Sequence, residues 1–427
     1  MRKLLAFAVV ALASGALLVT TGALSLARNE LRRAARARHA ARGETELRLV
    51  NPAGAALALF RAGDTLDEAV PLPLPAGETW LPEGRYFVEA TIGERRLFFP
   101  VTLDGSGEGP DEDGSWPVTV RRPAPESPPL LDDRGPGFVF VPGGFFLMGD
   151  RHNPGQPHAV WVSSFHIAAF EVTNGEFRRF LADPRGYDAR SSWTEAGWRW
   201  KANGLSQPTA RLTPEDPRYP RFGRDELPVV LATWHEANAY CRWLTRRPDG
   251  GRWLVRMPTE AEWEKAGRGP DGFDYGLGME LSEPQSPLYN WKKNPDAEVT
   301  VVEPGETHFR PNRYGVLHAS GNAREWTQSV FRRYNADNPY RDDDRNADDA
   351  DGMRVTRGGS WYSASAVRLR LAYREEFQPE LSSDDLGFRV AAVLGAGPQG
   401  GERGSTARPP GGGARGLESV LHSRRPP

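Results

Sequence analysis

Ser360, Ser363 and Ser365 follow a Gly-Gly pair in RGGSWYSASAVRLRLAYR (357–374), with Trp361 and Tyr362 between them. Aromatic rings and hydroxyls in so short a run suit adaptable contacts with a ligand. Thiol chemistry has far less to work with. Cys241 is the single cysteine, so the chain offers no internal disulfide, no thiolate metal cluster and no paired-thiol reaction. That cysteine falls on one face of WHEANAYCRWLTRR (234–247) with Ala237, Tyr240 and Leu244, the pattern of a buried, inert thiol. His152, His158, His166, His235, His308 and His318 form no i, i+4 pair and no H-x-H, so a three-histidine metal site would have to be assembled across loops. The acidic run RDDDRNADDAD (341–351) lacks the internal glycine of an EF-hand and reads as a solvated loop. Arg357, Arg370, Arg374 and Arg389 flank the last strands, where guanidinium groups tie loop carbonyls and carboxylates together.

These groups need a scaffold, and the totals indicate its kind. A chain of 427 residues, 39% hydrophobic and 26% charged, has room for two or three domains of soluble character. Its net charge of −2 sets up no field that would draw in nucleic acid. Thirteen Trp, 46 Gly and 37 Pro point to a loop-rich fold held by aromatic anchors, among them Trp193, Trp198, Trp200 and Trp234. A second helix is signalled by MPTEAEWEKAGRG (257–269): Thr259 caps it, Glu262 completes a capping box and Gly267 stops it.

Composition changes along the chain define further segments. Residues 1–27 begin with a short basic stretch and continue without charge, as a transmembrane anchor or a signal segment would. Residues 28–43 form a basic helix whose arginines suit solvent or lipid headgroups. By charge those arginines hold the downstream chain in the cytoplasm. From 44 to 122 short alternating runs between turn residues indicate a small β-sandwich, a spacer or interaction module. Its stretch LPEGRYFVEATIGERRLFFPV resembles the PEGA-type modules of bacterial surface proteins, which tips the expected location toward the periplasmic or extracytoplasmic side. A Pro-rich linker (123–136) leads into a large domain (137–394), and a Gly/Pro-rich tail (395–427) is expected to be disordered.

The large domain carries seven blocks in order: FVFVPGGFFLMGD, FHIAAFEVTNGEFRRFL, LPVVLATWHEANAYCRWL, VRMPTEAEWEKAGRG, NRYGVLHASGNAREWTQSV, VTRGGSWYSAS and DLGFRVA. The series resembles the sulfatase-modifying factor family, the formylglycine-generating-enzyme-like domain. The resemblance implies an α+β class: a loop-rich variant of the C-type lectin fold, preceded here by the small β-sandwich and the N-terminal transmembrane or signal segment. In the family's copper enzymes two cysteines follow the Gly-Gly-Ser turn. The corresponding positions here are Ser363 and either Val367 or Arg368, so copper-dependent formylglycine generation is not expected. The iron-dependent sulfoxide synthases of the family use a separate helical domain, for which this chain has no counterpart.

Two metal expectations follow from the same resemblance. Around SGNAREW the family wraps a structural calcium, which would place His318, Gly321, Ala323 and Glu325 as ligands, with Asn290 near a second site. The alternative is that Glu325 only accepts hydrogen bonds from backbone N–H groups in a tight turn. Ser360, Trp361, Tyr362, Ser363 and Ser365 line the family's substrate groove, which related display proteins use for ligand recognition. Two functions are therefore open. One is a membrane-attached binding or accessory module for a protein or peptide ligand, a pseudoenzyme with calcium as its cofactor. The other is an oxidoreductase or protein-modifying enzyme with a non-thiol metal site.

Overall fold

The computed structural model describes residues 30–395, apart from 75–78, 104–108, 112, 122, 124–136, 154–155, 204–206, 247–252, 282–288, 293–308, 336 and 344–345. The apolar run 1–27, most of the Pro-rich linker and the tail from 396 lie outside the described residues. Among those described, no helix is long and apolar enough to cross a membrane. Residues 30–40 form a helix, α1. Arg33 and Arg42 on or beside it point to solvent, but Arg36 turns inward to Glu46 and Asp113, and His39 stacks on Trp80.

Seven strands follow in two sheets. The first contains β1 (Thr45–Val50), β4 (Thr79–Leu81) and β7 (Trp116–Thr119) in the order β4-β1-β7. The second contains β2 (Ala56–Arg61), β3 (Val70–Leu72), β5 (Gly84–Ile92) and β6 (Arg95–Leu103) in the order β3-β2-β5-β6. Tyr86, Val88 and Ala90 alternate into the core between the sheets with Leu59, Leu97, Phe99 and Val101. The opposite face is covered as well. Phe87 is buried there, stacked on Phe60 and capped by the Arg313 guanidinium 4.7 Å from its ring. Arg85 donates to Asp271 O, Arg313 to Leu66 O, Tyr314 to Phe98 O, and the Met279 N–H to Asp64 O. The sandwich is thus docked on the large domain rather than held away from it as a spacer.

In the large domain β8 (Phe138–Val141), β11 (Phe165–Ala168), β12 (Trp253–Arg256) and β17 (Ala391–Leu394) form one sheet in the order β12-β17-β11-β8. Strands β9 (Gly144–Met148) and β10 (His158–Val162) pair as a hairpin. The sheet that positions the site has the order β15-β14-β13-β16, from β13 (Arg324–Val330), β14 (Arg354–Arg357), β15 (Glu375–Phe377) and β16 (Leu386–Phe388).

Four helices pack around these sheets: α2 (Asn174–Ala182), α3 (Glu195–Asn203), α4 (Trp234–Thr245) and α5 (Glu260–Arg268). Three begin with a complete capping box, Thr173/Glu176, Thr233/Glu236 and Thr259/Glu262, which satisfies the first backbone N–H groups. Helix α4 buries Ala237, Tyr240, Cys241 and Leu244 against Phe177, Phe180 and Trp253. Helix α5 runs past Gly267 and stops at Gly269, whose φ of 64° is the left-handed stop. Gly267 instead lets Leu371 approach, since a Cβ there would stand 2.8 Å from its Cδ2. Trp193 and Trp234 are fully buried anchors, with Trp198 and Trp200 half-buried beside them.

Candidate functional site

Three adjacent strands bring the site together. Strand β13 lies between β14, antiparallel, and β16, parallel, so Glu325 stands opposite both Arg357 and Gly387. The end of β14 feeds the Gly-Gly-Ser-Trp turn, the start of β13 follows the SGN turn, and the segments around β16 supply Asp385 and Arg389. Gly358 and Gly359 have φ of 94° and 64°, and a Cβ at Gly359 would stand 2.6 Å from Arg368 O. Only glycine lets the chain reverse so tightly here.

The reversal turns the serines inward. Ser360 Oγ donates to Asp385 Oδ2 (2.7 Å), and the Ser360 N–H donates to Ser363 Oγ (3.0 Å). The Trp361 N–H reaches Asn322 O (2.7 Å), its Nε1 donates to Asp384 O (3.3 Å), and its ring packs with Phe222, Leu227 and Ala323. Asp385 also receives Ser383 Oγ (2.6 Å) and Arg324 Nη2 (2.7 Å). Burial opposes charge on Asp385, but Arg324 and the two hydroxyls outweigh it and hold the carboxyl below its ordinary range. Ser360, Trp361 and Ser363 are therefore internal supports of the turn, which corrects their expected place on a recognition surface. Tyr362, 58% exposed, and Ser365 remain outside. Lys292 Nζ lies 4.4 Å over the Tyr362 ring, and the Lys292 N–H donates to Ser363 O.

Behind this turn lies a chain of buried polar groups. Asn290 Nδ2 donates to Asn322 Oδ1 (3.1 Å), and Asn322 Nδ2 donates to Glu171 Oε1 (3.0 Å). His318 Nδ1 lies 3.3 Å from Glu171 Oε2. His318 and Asn322 adopt left-handed φ of 59° and 60°, which folds the loop around Glu171, and Gly321 (φ 91°) lets Asn290 O pack directly on its backbone. Burial works against the charge on Glu171, yet His318 and then Arg389 outweigh it and keep this carboxyl below its ordinary range. Glu325 accepts from Arg389 Nε and Nη2 (both 2.6 Å) and from Trp263 Nε1 (2.8 Å). Its donors are side chains, not the backbone N–H groups of a tight turn. Burial raises the Glu325 carboxyl in spite of Arg389. The Arg389 guanidinium, which burial alone would lower, is held above its ordinary value by Glu325 and Glu171.

The copper positions, where no copper is expected, hold no thiol. At the copper positions Ser363 is a hydroxyl already in use, Val367 is an exposed aliphatic chain, and Arg368 is a cation 3.7 Å from Glu375. Cys241 sits in the core on α4, where burial pushes the thiol well above its usual range. At the calcium position both Glu325 oxygens are taken and His318 presents nitrogen, so this set does not fit a hard cation. Among the described residues, no three His, Cys, Asp or Glu side chains converge on a metal position. His158 binds Gln156 O and the Tyr340 N–H, and His235 lies near Glu380, at separate places in the fold.

The remaining cations act as ties. Arg357 donates to Leu371 O (2.6 Å) and Glu264 Oε2 (2.5 Å), and Arg374 pairs with Glu260. Arg370 reaches Asp150. The acidic run is more than a solvated loop: Arg354 donates to Gln328 O, Ala347 O, Asp348 O and Ala350 O, so the loop wraps a guanidinium. Asp348 also accepts from Asn238, Gln328 and Arg242. Glu171, Asn322 and Asp385 were not singled out in the sequence. All three lie within quoted blocks, FHIAAFEVTNGEFRRFL, NRYGVLHASGNAREWTQSV and DLGFRVA, but the pairs Glu171–Asn322 and Ser360–Asp385 join different blocks.

Residues 124–394 match the family described as the sulfatase-modifying factor enzyme 1-like domain, and this chain belongs to that family. It is 32% identical over 315 residues to a formylglycine-generating enzyme of Streptomyces coelicolor, covering 64% of this chain and 94% of the relative. It is 31% identical over 294 residues to a mouse protein named inactive C-alpha-formylglycine-generating enzyme 2, covering 61% and 87%. The solved structure of PvdO from Pseudomonas aeruginosa aligns with a TM-score of 0.46 at 22% identity, over 64% of this chain and all of that one.

Proposed function

We propose that this chain is a non-thiol member of its family, a binding or accessory module that presents the segment around Tyr362 to a protein or peptide ligand. One observation carries the reading: the turn is kept and braced from three sides, yet the positions for a copper-binding thiol pair hold Ser363 and Val367 or Arg368. A mouse relative of similar identity bears the name of an inactive enzyme, which supports the same reading. The exposed Tyr362 ring with Lys292 against it supplies an aromatic face and a cation, with Ser365 as a nearby hydroxyl. The apolar residues 1–27 and the basic helix behind them would attach the module to a membrane; the PEGA-like stretch LPEGRYFVEATIGERRLFFPV favours the extracytoplasmic side, against the charge of the arginines.

A phage library of random dodecapeptides panned against the full-length protein tests this. Enriched peptides are expected to lose affinity about tenfold or more on Tyr362→Ala, the loss of one aromatic anchor. Tyr362 is exposed, so that variant should keep the wild-type melting temperature. Enrichment insensitive to Tyr362 would contradict the assigned surface. Stoichiometric iron or copper in the purified protein, with oxygen consumption, would favour the alternative of a non-thiol metal enzyme.

A further inference from the structure

Loop 63–68 joins β2 to β3 in the β-sandwich and is tied into one shape. Glu68 Oε2 accepts from the Asp64 N–H (2.9 Å) and the Thr65 N–H (3.2 Å), and a Cβ on Gly63 would collide with Glu68. The loop is seated on the large domain. Leu66 packs against a cluster of Tyr275, Leu277, Tyr289, Trp291 and Leu369. Asp64 O accepts from the Met279 N–H (3.0 Å), and Thr65 pairs with Gly278 in an antiparallel bridge. Arg313 adds a further tie: it donates to Leu66 O (2.9 Å) and to Asp271 while it covers the Phe87 ring.

The cluster under Leu66 leads to the Gly-Gly-Ser-Trp turn. The Leu277 N–H donates to Tyr289 Oη (3.0 Å). The Gly276 N–H donates to Ser320 Oγ (3.0 Å), which donates in turn to Leu369 O (2.8 Å). Segments 289–292 and 366–369 are fixed in this way, and both touch the turn. Lys292, next to the buried Trp291, puts its N–H on Ser363 O and its Nζ 4.4 Å over the Tyr362 ring. Arg368 O packs directly on the backbone of Gly359.

We propose that Leu66, at the tip of loop 63–68, is a positioning residue for the surface around Tyr362. By seating on the cluster that carries Trp291 and Leu369, it sets the direction of Lys292 and of the turn, so the sandwich and the large domain recognise a ligand as one unit. That a ligand binds there rests on the function proposed above, whereas the positioning stands on these contacts.

Leu66→Ala in the full-length protein tests this, with Phe145→Ala as its control. Phe145 of β9 packs on the sandwich core through a different cluster, so its loss loosens the interface without touching Leu66. Hydrogen–deuterium exchange read by mass spectrometry follows residues 289–292 and 357–371, and the Tyr362-dependent peptides from panning report affinity. At a temperature well below melting, Leu66→Ala should speed exchange in both segments about fivefold or more and weaken those peptides by a similar factor. Phe145→Ala should lower the melting temperature further yet leave both readouts within about twofold of wild type. Unchanged exchange in Leu66→Ala would overturn the positioning role, whatever the melting temperature does. Equal acceleration in Phe145→Ala would also overturn it, since Leu66 would then be one structural contact among several. Faster exchange with unchanged affinity would overturn recognition as one unit. If panning yields no Tyr362-dependent peptide, the binding function fails and the exchange result alone decides the role of Leu66.

Discussion

Replacing Arg389 with leucine is expected to lower the free energy of unfolding by about 3–5 kcal/mol, the usual cost of removing one partner from a buried ion pair. The change strands Glu325 as a buried carboxylate with Trp263 as its remaining donor, and it removes the donors to Ala168 O, Ala169 O and Leu317 O. Urea denaturation should show a lower midpoint at unchanged slope, since the surface exposed on unfolding is the same. The double variant Arg389→Leu/Glu325→Leu should lose less than the single one, because no uncompensated charge is left behind. A single variant within about 1 kcal/mol of wild type would show that the cluster is not what holds segments 168–171, 317–325 and 386–391 together.

Asp385→Ala is the second large effect, at about 3 kcal/mol, with loss of ligand binding. It takes the acceptor from Ser360 Oγ and Ser383 Oγ at once and leaves Arg324 paired with Glu375. The Gly-Gly-Ser-Trp turn then loses the Ser360 tie to this segment and keeps only the longer Trp361 Nε1–Asp384 O bond, so Tyr362 is held less firmly. Asp385→Asn should cost less, because it keeps the shape and one acceptor. The pH dependence has a definite sign. The folded-state carboxyl lies below its unfolded value of 3.8, so its contribution is present above that pH and fades as pH falls through the folded value. The stability gap between wild type and Asp385→Asn should therefore narrow below about pH 4 and stay constant above about pH 5. A gap independent of pH across that window would mean that the charge on Asp385 is not what matters.

Local features of this fold were legible because their causes are local. Thr259 marks a helix start three residues before a glutamate, and the apolar positions of α4 recur at helical spacing. The stop of α5 was misplaced because both Gly267 and Gly269 fit a helix end by type, and the nearby Leu371 decides which of them is inside. The charged cluster of α5 was not legible at all. Glu264 pairs with Arg357, 93 positions away, and no spacing rule connects them. His318 and Glu171 are separated by 147 positions for the same reason. The docking of the β-sandwich left a sequence trace that alternation alone did not convey. Tyr86-Phe87-Val88 and Leu97-Phe98-Phe99 place apolar side chains on both faces of β5 and β6, as a doubly covered sheet requires.

The candidate site divides in the same way. The Gly-Gly pair, Trp361 and the serines were visible as a turn, but their exposure depends on Asp385 and Phe222, which come from other parts of the chain. Chemistry that depends on residue type was the most legible: a lone cysteine buried on α4 cannot become a copper-binding pair at position 363.

That last point admits a direct measurement. The full-length protein, supplied with Cu(I) and oxygen, is incubated with a cysteine-containing sulfatase-motif peptide, and the peptide is followed by mass spectrometry with a hydrazide probe for aldehyde. Absence of the thiolate donors predicts an unmodified cysteine and no probe adduct. Conversion of that cysteine to formylglycine would contradict the assignment of a retained scaffold without its reactive groups.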